Sequence, residues 1–329
     1  MRSPELPTGT LELAAGYLAE ASDQLRRLTR ARLPTDPEWI RHQVMLPLDL
    51  DETWPGSTAP VPVGSGAIHA DLIDDDDESF EELMATLPTD DPEQVAADAQ
   101  RLRLPVTPYR TGTQPVFDIL PGDFTVSKRR TITKIRVLDL TSLWAGPLAT
   151  ALLAAAGAEV IKIEPAARPD GFRERTELFH ALNAGKDVRD LDLRNEDDRD
   201  QFEELVAMSD LVVDSFSRRV MANLGYSPAE LRHLNNNIAT LSITAFPGHV
   251  PEREWVSYGA GVHAISGLGM ITGEPAAPVV AYPDPLTGIR AFGVALGLLG
   301  RTGERPHVEL SLLGSVAPLI EAAAAGTHG

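Results

Sequence analysis

The sequence contains no cysteine, which excludes disulfides, zinc–thiolate sites and thiol catalysis. It is poor in cations, with 29 lysines and arginines against 48 aspartates and glutamates and a formal net charge of -19. Such a chain is repelled by nucleic acid and by anionic lipid, so no nucleic-acid partner is expected. It has no run of about 18 apolar residues, so no membrane-spanning helix is expected. Met1-Arg2-Ser3-Pro4-Glu5 opens no apolar signal core, and cytoplasm is the default expectation. The eight histidines are scattered without HxH or HExxH spacing, and GxSxG and GxGxxG are absent, so no metal is expected. What remains is an ordinary globular composition, 43% hydrophobic and 23% charged. Its 329 residues suffice for two compact units.

In the N-terminal part, leucines 11, 18, 25 and 28 recur at helical spacing within 10–33. Residues 44–66 read as loop with short strands. The acidic run Asp74–Glu78 reads as the solvated start of a helix over 79–87, since a calcium loop would need spaced ligands and a turn glycine. A helix over 91–101 and an extended 102–110 follow. Residues 111–130 read as a linker.

From residue 133 the pattern is regular. Strands 134–140, 158–164, 210–216 and 238–246 alternate with helices 148–157, 195–209 and about 227–234. This predicts an open parallel sheet with helices on both faces. Beyond Phe246 the expectations are a helix over 258–274, a strand 277–284 ending at Asp284, a small-residue helix 287–300, a strand 307–313 and a final helix. In such folds ligands bind outside the carboxyl ends of the strands. Three loops there carry basic residues: Arg173, Lys186, and Arg218 with Arg219. Together they predict a basic rim suited to phosphates. Asp284, after an apolar stretch and before Pro-Leu-Thr-Gly, reads two ways: a partly desolvated nucleophile, or an Asx-turn or N-cap residue of the next helix. His263 reads as a base or as a core histidine.

Five blocks then carry a resemblance: VLDLTSLWAGPLATALLAAAGAEVIKIE, RPDGFR, FHALNAGKDVRDLDL, DLVVDSFSRRVMANLGY and SITAFPG. Their order and spacing over about 133–320 resemble family III CoA-transferases, which include formyl-CoA transferase, carnitine CoA-transferases and α-methylacyl-CoA racemases. The resemblance implies an α/β fold: a Rossmann-like open parallel sheet domain with a smaller α+β domain. It implies acyl-CoA and carboxylate as substrates, no covalently bound cofactor, and a homodimer, usually interlocked. Coenzyme A would lie at the sheet edge, on Ser142, Leu143, Trp144, Ala145, Arg173, Asn183, Lys186, Ser217, Arg218, Arg219 and Leu224.

Tyr-Pro-Asp284-Pro-Leu-Thr-Gly288 matches the family's nucleophile motif and makes Asp284 the expected nucleophile. It would pass through a mixed anhydride and an aspartyl-CoA thioester. Tyr258 falls where racemases carry a histidine and transferases often a tyrosine, which favours transfer. Racemisation with Tyr258 or His263 as the second acid/base, and a non-catalytic CoA-binding partner subunit, are the alternatives.

The chain departs from the family in three ways. It stops soon after HVELSLL, before the family's usual second half. Trp144 stands at a turn position that is polar in formyl-CoA transferase. RLRLPVTPYR resembles a late family element that normally follows the core. The expected organisation is therefore an atypical N-terminal segment 1–125, a CoA-binding domain 126–250, and the start of a small domain 251–329 carrying Asp284. In this arrangement a diverged late half precedes the early half and completes the fold.

Overall fold

A computed structural model describes residues 7–29, 59–71, 80–82, 84–85, 90–122, 126–173, 176–278, 280–301, 303 and 305–326. The strands, in chain order, are β1 (Val61–Val63), β2 (Gly66–Ala70), β3 (Val106–Pro108), β4 (Arg136–Leu140), β5 (Glu159–Ile163), β6 (Asp187–Arg189), β7 (Leu211–Asp214), β8 (Ala239–Thr244) and β9 (His307–Ser311). The α-helices are α1 (Thr10–Thr29), α2 (Pro92–Arg101), α3 (Ala145–Ala155), α4 (Thr176–Asn183), α5 (Glu196–Ala207), α6 (Val220–Asn223), α7 (Pro228–Leu234), α8 (Gly259–Ile265), α9 (Pro283–Leu299) and α10 (Leu312–Gly326).

Strands β4–β9 form one parallel sheet in the order β6-β5-β4-β7-β8-β9. Both faces are covered, as a parallel sheet requires. On one face lie α5 and α7, whose Phe202, Val206 and Leu231 pack on Leu138, Ile161 and Val212. On the other lie α1, α3 and α9, packed on Val137, Val213 and Leu241. The period-2 alternation of β4, β7 and β8 sends successive residues to these two cores.

Helix α9 is buried along nearly its whole length because apolar and small residues surround its axis. Small residues also set its approach to its neighbours. A Cβ on Gly293 would stand 3.4 Å from Ala21 of α1, and one on Gly288 only 2.7 Å from the Ala145 carbonyl of α3. Gly288 is what lets the start of α9 cross the first turn of α3.

A second, antiparallel sheet has the order β1-β2-β3, with α2 against it. Asp91 caps α2, Pro92 opens it, and Gln100 bonds both backbone groups of Val256 at 2.7 Å. This small sheet docks on α8, where Thr107 Oγ1 donates to the Gly261 carbonyl at 3.0 Å.

Several expected boundaries move. The apolar stretch before Asp284 forms no strand; with Pro283 at N1, Asp284 sits at the second position of α9. The expected helix 258–274 divides at Gly267, whose φ is +84°, into α8 and a short 3-10 turn at Leu268–Met270. The strand 307–313 ends at Ser311, where α10 begins.

The organisation differs as well. Helix α1 belongs to the main core, and β9 is a strand of the main sheet, so cuts at 125 and 250 pass through one packed body. The described residues of the expected linker, 111–122 and 126–130, are tied to the main body. Asp118 is held by Arg290 and Ser311, and Ser127 and Lys128 donate to the Gly300 carbonyl. The acidic run 74–78 lies outside the described residues; within the expected helix 79–87, residues 80–82 and 84–85 are helical.

Candidate active site

The turn 141–144 joins β4 to α3 at the carboxyl edge of the main sheet. Leu143 adopts φ +66°, a left-handed conformation that costs about 1–3 kcal/mol in a residue with a Cβ. It is held there by Asp170, which accepts from the Leu143 N–H at 3.1 Å and is itself paired with buried Lys162 at 3.3 Å. Lys162 also donates to the Thr141 carbonyl at 2.7 Å. Loop 168–173 and turn 141–144 are thus one rigid unit. The Ser142 hydroxyl-bearing residue is exposed beside Ser215, Leu143 is half-buried, and Trp144 and Ala145 are buried at the start of α3. Gly146 is required: a Cβ there would lie 2.2 Å from the Thr141 side chain.

The four cations of the expected rim are all engaged with carboxylates. Lys186 is the clearest correction. Its side chain is 0% exposed and pairs with Asp139 at 2.9 Å, with further bonds to the Pro147 carbonyl and Asn183. The Lys186 side chain is thus turned inward, with half-buried Asn183 as one of its partners. Arg218 pairs with Glu309 and donates to the carbonyls of Phe246 and Arg253. It lines a cavity of about 100 Å³ with Asp214, His307 and Glu309. Burial pushes the Asp214 carboxyl up to about 6. Arg173 pairs with Glu164 and Arg219 with Glu254, but both remain open to solvent. Ser217 is exposed on the same loop as Arg219, and Leu224 ends α6 with its carbonyl bonded to Arg199.

Asp284 is the other kind of acid. It is buried at the start of α9, and no Arg or Lys among the described residues pairs with it. Burial pushes its carboxyl up to about 8, and the neighbouring Asp71 carboxylate adds to the rise. Opposing this are hydrogen bonds from the backbone N–H groups of Gly259 and of Asp284 itself. A Cβ on Gly259 would stand 2.0 Å from Asp284 Oδ2, so glycine is what admits the carboxylate to the end of α8. Tyr258 is the N-cap residue of the same helix, half-buried beside Asp284's position. The structure thus sets Asp284 against Gly259, the residue after Tyr258, and brings the start of α9 to the first turn of α3 through the Gly288–Ala145 approach.

His263 is a satisfied core residue. Its Nδ1 meets the Tyr282 hydroxyl at 2.9 Å and its Nε2 the Ala276 carbonyl at 3.1 Å; burial pulls its pKa down to about 4. It is one turn along α8 from Tyr258, with neither ring nitrogen free to serve as an acid/base. Among the described residues no group of three or more His, Asp or Glu side chains is placed to hold a metal.

Two residues escaped the sequence reading. Asp71, from the N-terminal segment, is buried at the end of α8, and His69 is buried beside it. The signal was two polar residues spaced by two in an otherwise apolar stretch, Ala-Ile-His69-Ala-Asp71, which puts both on one face of a strand.

The comparisons with known proteins bear on this geometry. Residues 132–328 match the family model described as CoA-transferase family III. Acetyl-CoA:oxalate CoA-transferase of Acetobacter aceti is 32% identical over 191 residues, covering 54% of this chain and 49% of that protein. Succinate–glutarate CoA-transferase of Agrobacterium fabrum is 32% identical over 208 residues, covering 57% of this chain and 52% of that protein. The chain spans about half the length of the curated relatives it matches. Among solved structures, a hypothetical protein (Rv3272) from Mycobacterium tuberculosis aligns with a TM-score of 0.53 at 27% identity, over 66% of this chain and 60% of that one. A CAIB/BAIF family protein from Brucella suis aligns with a TM-score of 0.53 at 26% identity, over 59% of this chain and 56% of that one.

Proposed function

The chain belongs to CoA-transferase family III, and on that premise we propose that it moves coenzyme A between carboxylic acids with Asp284 as the nucleophile. The observation that carries the reading is a carboxylate buried at a helix start without a cation, set close to the turn that the family resemblance assigns to coenzyme A. A carboxylate kept from water and from counter-charge is a stronger nucleophile than a solvated one.

In this reading an Asp284 oxygen attacks the acyl-CoA carbonyl carbon and the C–S bond breaks, leaving a mixed anhydride and CoA thiolate. The thiolate attacks the aspartyl carbonyl and releases the donor carboxylate, leaving an aspartyl-CoA thioester. An acceptor carboxylate attacks that thioester and expels the thiolate. The thiolate then attacks the acceptor's acyl carbon in the new anhydride, which frees Asp284 and the new acyl-CoA. Every step begins from an anion, so turnover is expected to rise with pH through about 8 as Asp284 ionises. Tyr258 is assigned to orienting the acyl group. Arg173, Arg219, Ser217 and the turn Ser142–Ala145 are assigned to coenzyme A; the exposure of Ser142, Arg173, Ser217 and Arg219 supports this. Arg173 and Arg219 would exchange their carboxylate partners for phosphate.

We assign residues 59–110 to the smaller domain of the fold, placed ahead of the main sheet. The docking of β3 and Gln100 on residues 256–261 supports this. A homodimer is part of the same proposal and is checked by light scattering.

The decisive experiment mixes the protein with a panel of acyl-CoAs and hydroxylamine, followed by peptide mass spectrometry. A hydroxamate on Asp284 is the expected product, and Asp284→Ala should abolish transfer, a loss of at least about 10³-fold. Unchanged turnover in Asp284→Ala would sink the reading. The locked ring of His263 weighs against racemisation through that residue.

A further inference from the structure

The end of α8 holds two carboxylates. Asp284 reaches it from α9, and Asp71 reaches it from the N-terminal sheet, 190 residues before Gly261 in the chain. Asp71 Oδ2 accepts from the Gly261 N–H at 3.0 Å and from the Tyr258 N–H at 3.4 Å. Each carboxylate has its own glycine. A Cβ on Gly259 would lie 2.0 Å from Asp284 Oδ2, and one on Gly261 would lie 2.8 Å from Asp71 Oδ2. The sequence Tyr258-Gly-Ala-Gly261 is therefore shaped to take two acids side by side.

Asp71 is fixed from its other side. His69 Nε2 meets Asp71 Oδ1 at 2.9 Å, and His69 is 0% exposed. Facing an ionised carboxylate, which only accepts, His69 would donate from Nε2. Its Nδ1 is buried with no hydrogen-bond partner among the described residues. The remaining titratable groups around the pair are Tyr109, whose ring meets the His69 edge, and His263 with Tyr282 across α8. Tyr258 caps the helix between the two acids. On α9 itself the next charge is Arg290, which is taken by Asp118. No Lys or Arg among the described residues pairs with either acid; the side-chain partner of Asp71 is His69.

We propose that Asp71, oriented by His69, is a positioning residue for Asp284: it holds the Tyr258–Gly261 turn that receives the nucleophile and opposes its ionisation. This rests on Asp284 being the nucleophile. It gives the N-terminal segment a chemical task in addition to a packing one, since the small sheet must be docked for Asp71 to act. The burial of both acids supplies the low-polarity setting in which a like charge at short range matters. The upward displacement of the Asp284 carboxyl, to which Asp71 contributes, agrees with this arrangement.

The test uses the full chain and follows hydroxamate formation on Asp284 against pH, by peptide mass spectrometry, in wild type, Asp71→Asn and Asp71→Glu. Asparagine keeps an oxygen for the Gly261 N–H and presents its amide to His69, whose tautomer can switch, so the turn is retained; thermal melts check the fold. Asp71→Asn is expected to move the midpoint of capture down by about one pH unit, and Asp71→Glu to leave it near the wild-type value. A purely structural role would lower the yield without moving the midpoint. Capture on Asp284 with the same midpoint in wild type and Asp71→Asn overturns this inference alone. No capture on Asp284 in wild type at any pH overturns the nucleophile reading, and this inference with it.

Discussion

Asp139 and Asp284 are both buried acids of the same packed body, and they are treated in opposite ways. Asp139, on β4, receives the Lys186 ammonium at 2.9 Å, the Thr150 hydroxyl at 2.6 Å and the Thr141 N–H at 2.9 Å, with Lys162 close by. Burial alone would raise its carboxyl, but the two lysines and the hydroxyls outweigh burial and hold it well below the usual carboxylate range. Asp284 has two backbone N–H groups, no Lys or Arg partner among the described residues and Asp71 as a neighbouring acid, and it moves the other way, to about 8. The first arrangement makes a charge permanent and ties β4, α3 and the loop before β6 together. The second leaves a group that is easily protonated and easily spent on chemistry. Burial is common to both, so the partners decide whether a buried acid serves the fold or the reaction.

That contrast can be broken experimentally at three levels. The largest effect is expected from Lys186→Met, which strands the Asp139 charge in the interior. Urea unfolding should show a loss of about 3–5 kcal/mol. A loss below about 1 kcal/mol would mean that the pair is not the structural element described.

Next is the pH dependence of stability. Between about 4 and 8 the folded protein keeps a proton on Asp284 that the unfolded chain has released, so Asp284 makes stability fall as pH rises across that window and level off above it. Asp284→Asn removes this term. Unfolding free energies of the two proteins at pH 5 and pH 8 should therefore diverge, with the variant gaining on wild type at the higher pH. A gap that does not change with pH would show that Asp284 titrates normally.

The smallest stability effect is expected at the surface. Arg219, 74% exposed in its side chain, pairs with Glu254, and Arg219→Ala should change the melting free energy by less than about 0.5 kcal/mol. Its informative readout is kinetic. If Arg219 meets coenzyme A, KM for the acyl-CoA rises with kcat unchanged; if neither moves, the phosphate contacts lie elsewhere.

The main sheet was legible because its cause is local. Val137-Leu138-Asp139-Leu140 and Leu211-Val212-Val213-Asp214 show in their own letters that they are buried strands, and Pro228 after Ser227 shows a helix start. The segment before Asp284 was read as a strand because Ala-Pro-Val-Val-Ala-Tyr is apolar and short. Instead Pro283 and Pro285 fall in the first turn of α9, where a missing N–H costs nothing. The motif around Asp284 pointed to that residue, but whether it is a turn residue or a desolvated acid depends on Gly259 and Asp71, which come from two other segments.

Lys186 marks the limit most clearly. A lysine just after a glycine, between strands, reads the same whether it faces a phosphate or an aspartate. Its partner Asp139 lies 47 residues earlier, and no local pattern links the two. The amino-acid order by itself determined the main-sheet strands β4, β5, β7 and β8, the parallel sheet and the family, because each depends on periodicities and blocks a few residues long. Tertiary structure alone decided which cations were consumed inside, which acid was left without one, and that the N-terminal sheet would set Asp71 beside Asp284. Electrostatic roles depend on distances of a few ångströms between residues far apart in the chain, and those distances exist only after folding.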